Sequence, residues 1–251
     1  MNRDNFTQER IDWGSLSHNI GSASDIPQIV ARLQSASTRD EAAESAWELN
    51  ERLCHGGLEV VDATAPAIQI LWSLVADQSF HWRHYVVQFI DCVAVVRGVY
   101  APPLAPRGAS AEYACRMAIQ KGIGLVAELA EHAGEVNIRG SCIELLGDAG
   151  EAEEVIRRFS IRLASENDPS VRADLAAAMA AAAIRVEESA ERTAELCADL
   201  LADESAAVRF RVARVLLRAR PTGVDLEHAE SVLDTAYSEV RRTGGFRDEY
   251  A

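Results

Sequence analysis

Long apolar runs are missing from this sequence. No stretch approaches the roughly 18 uninterrupted apolar residues that can cross a bilayer, so a membrane span and a membrane partner are not expected. Alternation of apolar and polar residues between turns is also missing, which argues against a sheet. Close cysteine pairs are absent. Cys54, Cys92, Cys115, Cys142 and Cys197 are odd in number and scattered among apolar residues of helical period, so no disulfide framework is expected. Met1 to Trp13 is polar and charged and lacks the apolar core of a secretory signal; with reduced thiols, this points to the cytoplasm. Lysine is nearly absent, Lys121 standing alone among the bases, but no mechanism follows from that. Positive charge is in deficit overall. The 39 acids and 25 bases leave a net charge of −14, a field that opposes nucleic acid and anionic membranes and attracts a basic partner.

What is present is a repeated phrase. Asp168-Pro169-Ser170-Val171-Arg172 returns as Asp203-Glu204-Ser205-Ala206-Ala207-Val208-Arg209, with looser copies at Glu135–Arg139 and Asp77–Arg83. The last two spacings between marker arginines are 33 and 37 residues, the size of a helical-hairpin repeat. An apolar run of helical period follows each copy. Val171, Leu175, Ala178, Met179 and Ala182 fall on one helical face, and Val208, Val212, Val215 and Leu216 repeat the pattern. Helices are expected at 26–36, 39–54, 64–77, 80–97, 110–132, 135–147, 151–165, 169–184, 187–202, 205–219 and 225–242. Thr64 is an N-cap candidate, with Pro66 in the first turn. Asp168 and Asp203 precede helix starts, where a carboxylate accepts backbone N–H bonds. The arginine one turn later can pair with an acid of its own or a neighbouring unit. Pro102, Pro103 and Pro106 interrupt the helices, so 98–109 reads as an inserted loop; 1–24 reads as a polar arm and 243–251 as a frayed tail of a single 1–251 domain.

The Asp-Pro-Ser-Val-Arg phrase and the Ala-rich helix after it resemble the HEAT and HEAT-like repeat signature, including bilin-lyase-type repeats. The fold this implies is an all-α, right-handed α-solenoid of about five helical hairpins plus an N-terminal partial unit. A second resemblance lies in the N-terminal third. Asp12-Trp13, His18 through Pro27, Trp47-Glu48-Leu49 and Leu53-Cys54-His55-Gly56-Gly57 are similar to the opening of actinobacterial HEAT-repeat proteins. The resemblance implies a binding protein, with a role as an immunity protein against a cognate toxin among the functions of such groups. His-Gly-Gly-Leu stands at 55–58 where that family has a His-Gln-Gly-Thr-like turn.

Chemistry finds little to use. His81 and His84 are three apart and Cys92 lies two turns on, but no close cysteine pair or His-Glu-x-x-His run completes a metal set. Ser17-His18 has no nucleophile elbow. Gly122-Ile123-Gly124 and Gly147-Asp148-Ala149-Gly150 lack the lysine of a phosphate loop; the first pair suggests close packing, and Gly147 and Gly150 a helix end. Arg157, Arg158 and Arg162 make a small basic face, too little for the groove of a HEAT-like alkylpurine DNA glycosylase. No catalytic residue, cofactor or metal is therefore expected.

The functional expectation is a non-catalytic protein-binding protein for a basic partner, first of all an immunity-type inhibitor of a basic toxin; the alternatives are a general protein–protein interaction scaffold and a HEAT-like alkylpurine DNA glycosylase or bilin-lyase-type enzyme. In such arrays the second helix of each pair lines the inner face. The candidate contact residues are Trp82, Glu112, Tyr113, Arg116, Gln120, Arg157, Glu191, Glu195 and Glu230, with the 98–109 loop as a further contact. Trp72 and Tyr85 read as core.

Overall fold

The computed structural model describes residues 11–100, 104–108, 110–186, 190–221 and 223–243, without the side chains of 190–192 and 243. The described residues are all-α apart from one minimal strand pair. Twelve α-helices follow in order: α1 (Ile26–Ser35), α2 (Arg39–Leu53), α3 (Thr64–Ala76), α4 (Arg83–Ala94), α5 (Ala111–Gln120), α6 (Ile123–His132), α7 (Val136–Ala149), α8 (Ala152–Leu163), α9 (Pro169–Arg185), α10 (Ala190–Leu201), α11 (Ala206–Ala219) and α12 (Leu226–Thr243). They gather into two compact units, Met1–Leu145 and Leu146–Ala251.

In the first unit α2 packs beside α4 and α3 beside α5, with α4 also touching α3 and α5. In the second unit α9 packs on α8 and α11, α11 packs on α12, and α10 touches both α9 and α11. Helices two elements apart in sequence are thus neighbours in both units. The residues chosen by periodicity explain it: Val171, Leu175, Ala178, Met179 and Ala182 are buried on α9, and Val208, Val212 and Leu216 on α11.

The repeated phrase does what its chemistry suggests. Asp168 caps α9, its Oδ1 accepting from Ser170 N at 2.9 Å and Val171 N at 3.2 Å. Asp203 Oδ1 accepts from Ser205 N at 2.8 Å, while its Oδ2 lies 3.2 Å from the Arg172 guanidinium. Arg172 also donates to Leu163 O at 2.8 Å. The same two-sided role recurs at Arg209, and the looser copies keep one side of it each. Arg209 donates to Asp203 O and Glu204 O and pairs with Glu239 at 2.7 Å. Arg139 donates to Ala133 O and Gly134 O, and Arg83 pairs with Glu135 at 3.4 Å. Each marker arginine ties its helix either to the loop before it or to an acid further along the chain.

Some expectations need correction. The helix expected at 110–132 is two helices. A Cβ on Gly122 would sit 2.2 Å from the Trp72 ring, which is fully buried. Trp72 Nε1 donates to Ala118 O at 2.9 Å, and Gly122 N turns to Ile119 O instead. The indole therefore occupies the carbonyl that a continuing helix would have used. The helix expected from residue 80 starts at Arg83, because the Asp77 carboxylate holds Ser79 in a turn. Thr64 is not the N-cap; it is a buried first helical residue whose hydroxyl donates to Leu53 O and accepts from Val61 N. The Gly147–Gly150 stretch does hold the end of α7, at Ala149, but Gly147 has a packing role as well. It lies inside α7, where a Cβ would come within 2.6 Å of Ala178 Cα, whereas Gly124 has open space. Finally, Ser17–His18 and Gly21–Ser22 form a two-residue antiparallel pair, allowed by Gly21 at φ +148°.

Two ion pairs in the second unit separate burial from charge. Arg211 lies 3.0 Å from Asp174, and the Asp174 side chain is 2% exposed. Arg157 pairs with Glu154 at 2.7 Å with both side chains largely exposed. Arg211→Met is expected to destabilise the protein by about 3–5 kcal/mol, since it takes the paired cation from a buried carboxylate. Arg157→Met is expected to cost under about 1 kcal/mol. Urea midpoints of the two variants check the contrast.

Candidate partner-binding surface

The N-terminal segment is held against α2. Asn19 N donates to Arg52 O at 3.0 Å and Asn19 Nδ2 to Glu51 O at 3.1 Å, satisfying carbonyls near the end of α2. His18 is buried. Its Nδ1 accepts from Ile20 N at 3.0 Å, so Nε2 carries the proton and donates to Asp25 Oδ1 at 3.0 Å. Arg52 Nε donates to Asp25 Oδ2 at 2.9 Å, its other end pairs with Glu48 at 2.9 Å, and Glu48 also pairs with Arg32. His18, Asp25, Glu48 and the turn at 53–57 belong to the segments on which the N-terminal resemblance rests. The structure joins the first three through Arg52.

This network does not assemble a nucleophile. The Ser17 hydroxyl donates to Asp62 Oδ1 at 3.1 Å, while both ring nitrogens of His18 are engaged elsewhere. Metal ligands do not converge either: among the described residues no group of three or more His, Cys, Asp or Glu side chains could hold an ion. Cys54 Sγ donates to Asn50 Oδ1 at 2.8 Å. Burial pushes the Cys54 thiol up to about 11 and those of Cys115 and Cys142 up to about 12, so all three stay protonated and unreactive at neutral pH. His55 takes a left-handed backbone at φ 44°, followed by Gly56 at 64° and Gly57 at 86°; these three residues turn the chain out of α2.

The Pro-rich loop is anchored at its root. Ala105 N donates to Gly98 O at 3.0 Å, closing the loop on itself, while Ala101–Pro103 and Ala109 lie outside the described residues. Arg116 on α5 donates to Gly98 O at 2.8 Å and to Val99 O. Its guanidinium lies 5.9 Å from the Tyr100 ring centre and 6.0 Å from that of Tyr113. Gln120 Nε2 donates to the Tyr100 hydroxyl, which donates in turn to Arg116 O. Glu112 sits in the first turn of α5, behind the Ser110 cap. Four of the expected contact residues, Glu112, Tyr113, Arg116 and Gln120, thus lie together on α5. Leu104 on the loop and Met117 on α5 are exposed beside them in sequence. Tyr100 was not among the expected residues, although its aromatic ring next to a Gly-Val turn is visible in the sequence.

The remaining candidates are dispersed. Trp82 is half-buried and donates from Nε1 to Ala36 O at 2.9 Å, a structural tie between α4 and the end of α1. Trp72 and Tyr85 match their reading as packing residues, Trp72 buried and Tyr85 half-buried with its hydroxyl accepting from Arg39. Arg157 faces Glu154, Arg158 lies 4.0 Å from the same carboxylate, and Arg162 lies 3.5 Å from Glu166, so an acid matches each member of the small basic face. Glu195 on α10 and Glu230 on α12 are exposed. The Glu191 side chain lies outside the described residues. Comparison of the chain with known protein families, with curated proteins and with solved structures finds no match.

The Asp25 carboxyl gives a pH test of the N-terminal network. Partial burial pushes its pKa up, but the Arg52 hydrogen bond and the contacts with His18 outweigh that and leave it below its ordinary value of 3.8. A depressed carboxylate adds stability above 3.8 that is lost as pH falls through its lower folded value. Asp25→Asn is therefore expected to lower stability at neutral pH and to flatten the acid limb of the stability profile below pH 4, read by denaturant titration across pH.

Proposed function

We propose that this protein is a non-catalytic helical-repeat binding protein whose partner is a basic protein, most specifically an immunity-type inhibitor of a basic toxin. The helical hairpins would stack into a HEAT-like right-handed array, as the repeated phrase implies. The side-by-side packing of α2 with α4, α3 with α5 and α9 with α11 supports that arrangement. The observation that carries the functional reading is where the charges go. The marker arginines Arg83, Arg172 and Arg209 reach acids within the fold, while Glu195 and Glu230 face solvent in a chain of net charge −14. Such a surface attracts a positively charged protein over distance and leaves affinity to local contacts. The α5 cluster around Tyr113 and Arg116, with exposed Leu104 and Met117, supplies apolar and hydrogen-bonding groups for the second step.

The mechanism is steering followed by occlusion of the partner's working surface. The partner is first captured from the cell of origin on the immobilised full chain, and association rates are then measured at low and high ionic strength. Glu195→Lys with Glu230→Lys is expected to slow association about tenfold at low salt, with little change in dissociation and an unchanged helical spectrum. The difference should vanish at high salt. An association rate indifferent to both reversals contradicts steering by this face. A captured partner that is acidic contradicts the basic-partner reading as a whole.

A further inference from the structure

The first unit leaves a large aromatic ring in water. Trp47 lies mid-way along α2 and is 63% exposed, whereas Trp72 is buried and Trp82 half-buried. Burial of an indole is among the largest apolar gains open to a side chain, so a ring left out at mid-helix calls for a reason. Its helical neighbours three and four residues away are Ala43, Glu44, Asn50 and Glu51, and Asp40 lies two turns back on the same face. Asp40 and Glu44 are exposed and Glu51 is half-buried. Three carboxylates and one open ring therefore share a strip of α2 that contains no cation.

The other acids of α2 are engaged. Glu41 accepts from Ser37 N and Thr38 N, and Glu48 holds both Arg32 and Arg52. The cations of this region are committed too: Arg52 reaches Asp25 as well as Glu48, and Arg39 donates to the Tyr85 hydroxyl. Asn50 accepts from the Cys54 thiol at 2.8 Å. Among the described residues no hydrogen bond, ion pair or ring contact engages the side chains of Asp40, Glu44, Trp47 or Glu51. Carboxylates alone make a solvated face; an open indole with a carboxylate one turn to either side makes a receptor. A guanidinium stacked on the indole keeps its N–H edge for those carboxylates. A lysine ammonium has no flat face to stack.

We propose that the Glu44–Trp47–Glu51 strip of α2 is a docking site for an arginine side chain of a basic protein partner. Charge complementarity selects a cation, and the flat ring between two carboxylates selects the planar one. The proposal rests on the basic-partner reading only for the protein that brings the arginine. The strip belongs to the first unit, whereas Glu195 and Glu230 of the steering face belong to the second. A second copy of this chain is disfavoured as occupant, because a net charge of −14 sets two copies against each other.

The test follows the indole N–H resonances of the full chain by heteronuclear NMR as the blocked peptide Arg-Gly-Arg is added, with lysine and citrulline counterparts as controls. Citrulline keeps the planar end group and removes its charge. Trp47→Phe identifies the Trp47 resonance. The arginine peptide is expected to shift that resonance saturably, binding at least about tenfold tighter than the citrulline peptide and about threefold tighter than the lysine peptide. Glu44→Gln with Glu51→Gln should weaken arginine binding about tenfold, read at the same resonance. Glu195→Gln with Glu230→Gln, an equal change of charge, should alter it by less than about twofold at physiological salt. An unchanged thermal midpoint certifies the fold of each variant. Equal binding of the arginine and citrulline peptides overturns the proposal, as does an equal loss from the two pairs of substitutions. Lysine binding as tight as arginine overturns the assigned side chain. A Trp47 resonance that moves on dilution without peptide gives the face to a second copy and overturns the proposal as well. If the strip fails while the Glu195 and Glu230 reversals still slow association, the basic-partner reading stands without this site.

Discussion

The register of the second unit depends on the two-sided arginines that follow its repeated acids, Arg172 after Asp168 and Arg209 after Asp203. In the clearest case Arg172 holds Leu163 O with one nitrogen and Asp203 with another, while Asp203 holds Ser205 N at the approach to α11. One guanidinium therefore joins the end of α8, the body of α9 and the approach to α11. Lysine could not replace it, since a point charge cannot serve a carbonyl and a carboxylate in one plane. The pairing is partly buried, so desolvation limits its net worth, and its main effect is to fix register between helices whose apolar faces are otherwise interchangeable.

Register matters because the apolar contacts beneath it tolerate little displacement. Nearly every residue of α9 from Ala173 to Ala183 is buried, and most are alanine. Small side chains bring helices close, and the approach of Gly147 to Ala178 leaves no room for a methyl group. Arg185 then donates to Gly147 O at 3.1 Å, in the last turn of α7, and to Gly150 O at 2.8 Å, just beyond it. In the first unit Trp72 plays the opposite part, filling space with a large ring and requiring glycine at 122. Both solutions reach close packing, one by subtraction and one by insertion.

Much of this was legible in the sequence, and the reason differs by feature. Helix type and the cap at Asp168 follow from local rules, and the arginine-to-acid pairing follows from the repeat itself. The break at Gly122 was not legible, because its cause is a tryptophan far away in the chain. The ordered turn at 17–25 was also missed: its residues look like a polar arm until His18, Asp25 and Arg52 are seen to meet. At the candidate surface, Glu112, Tyr113, Arg116 and Gln120 were placed on one helix by the sequence, and they share α5. Spacing did not foresee that Arg116 binds the loop backbone, nor that Phe210 and Tyr237 pair across two helices. Pairings within one helix can be read from spacing; pairings between helices need the register that the arginines set.

The most direct test of that register is a double-mutant cycle on Arg172 and Asp203, using Arg172→Met, Asp203→Ala and the double variant. Each change alone removes the pairing and leaves a partly buried charged or polar group. The account predicts a coupling energy of about 1–2 kcal/mol, with the double variant markedly less destabilised than the sum of the singles. Additive effects, with coupling below about 0.3 kcal/mol, would contradict it and would mean that apolar packing alone sets the register of these helices.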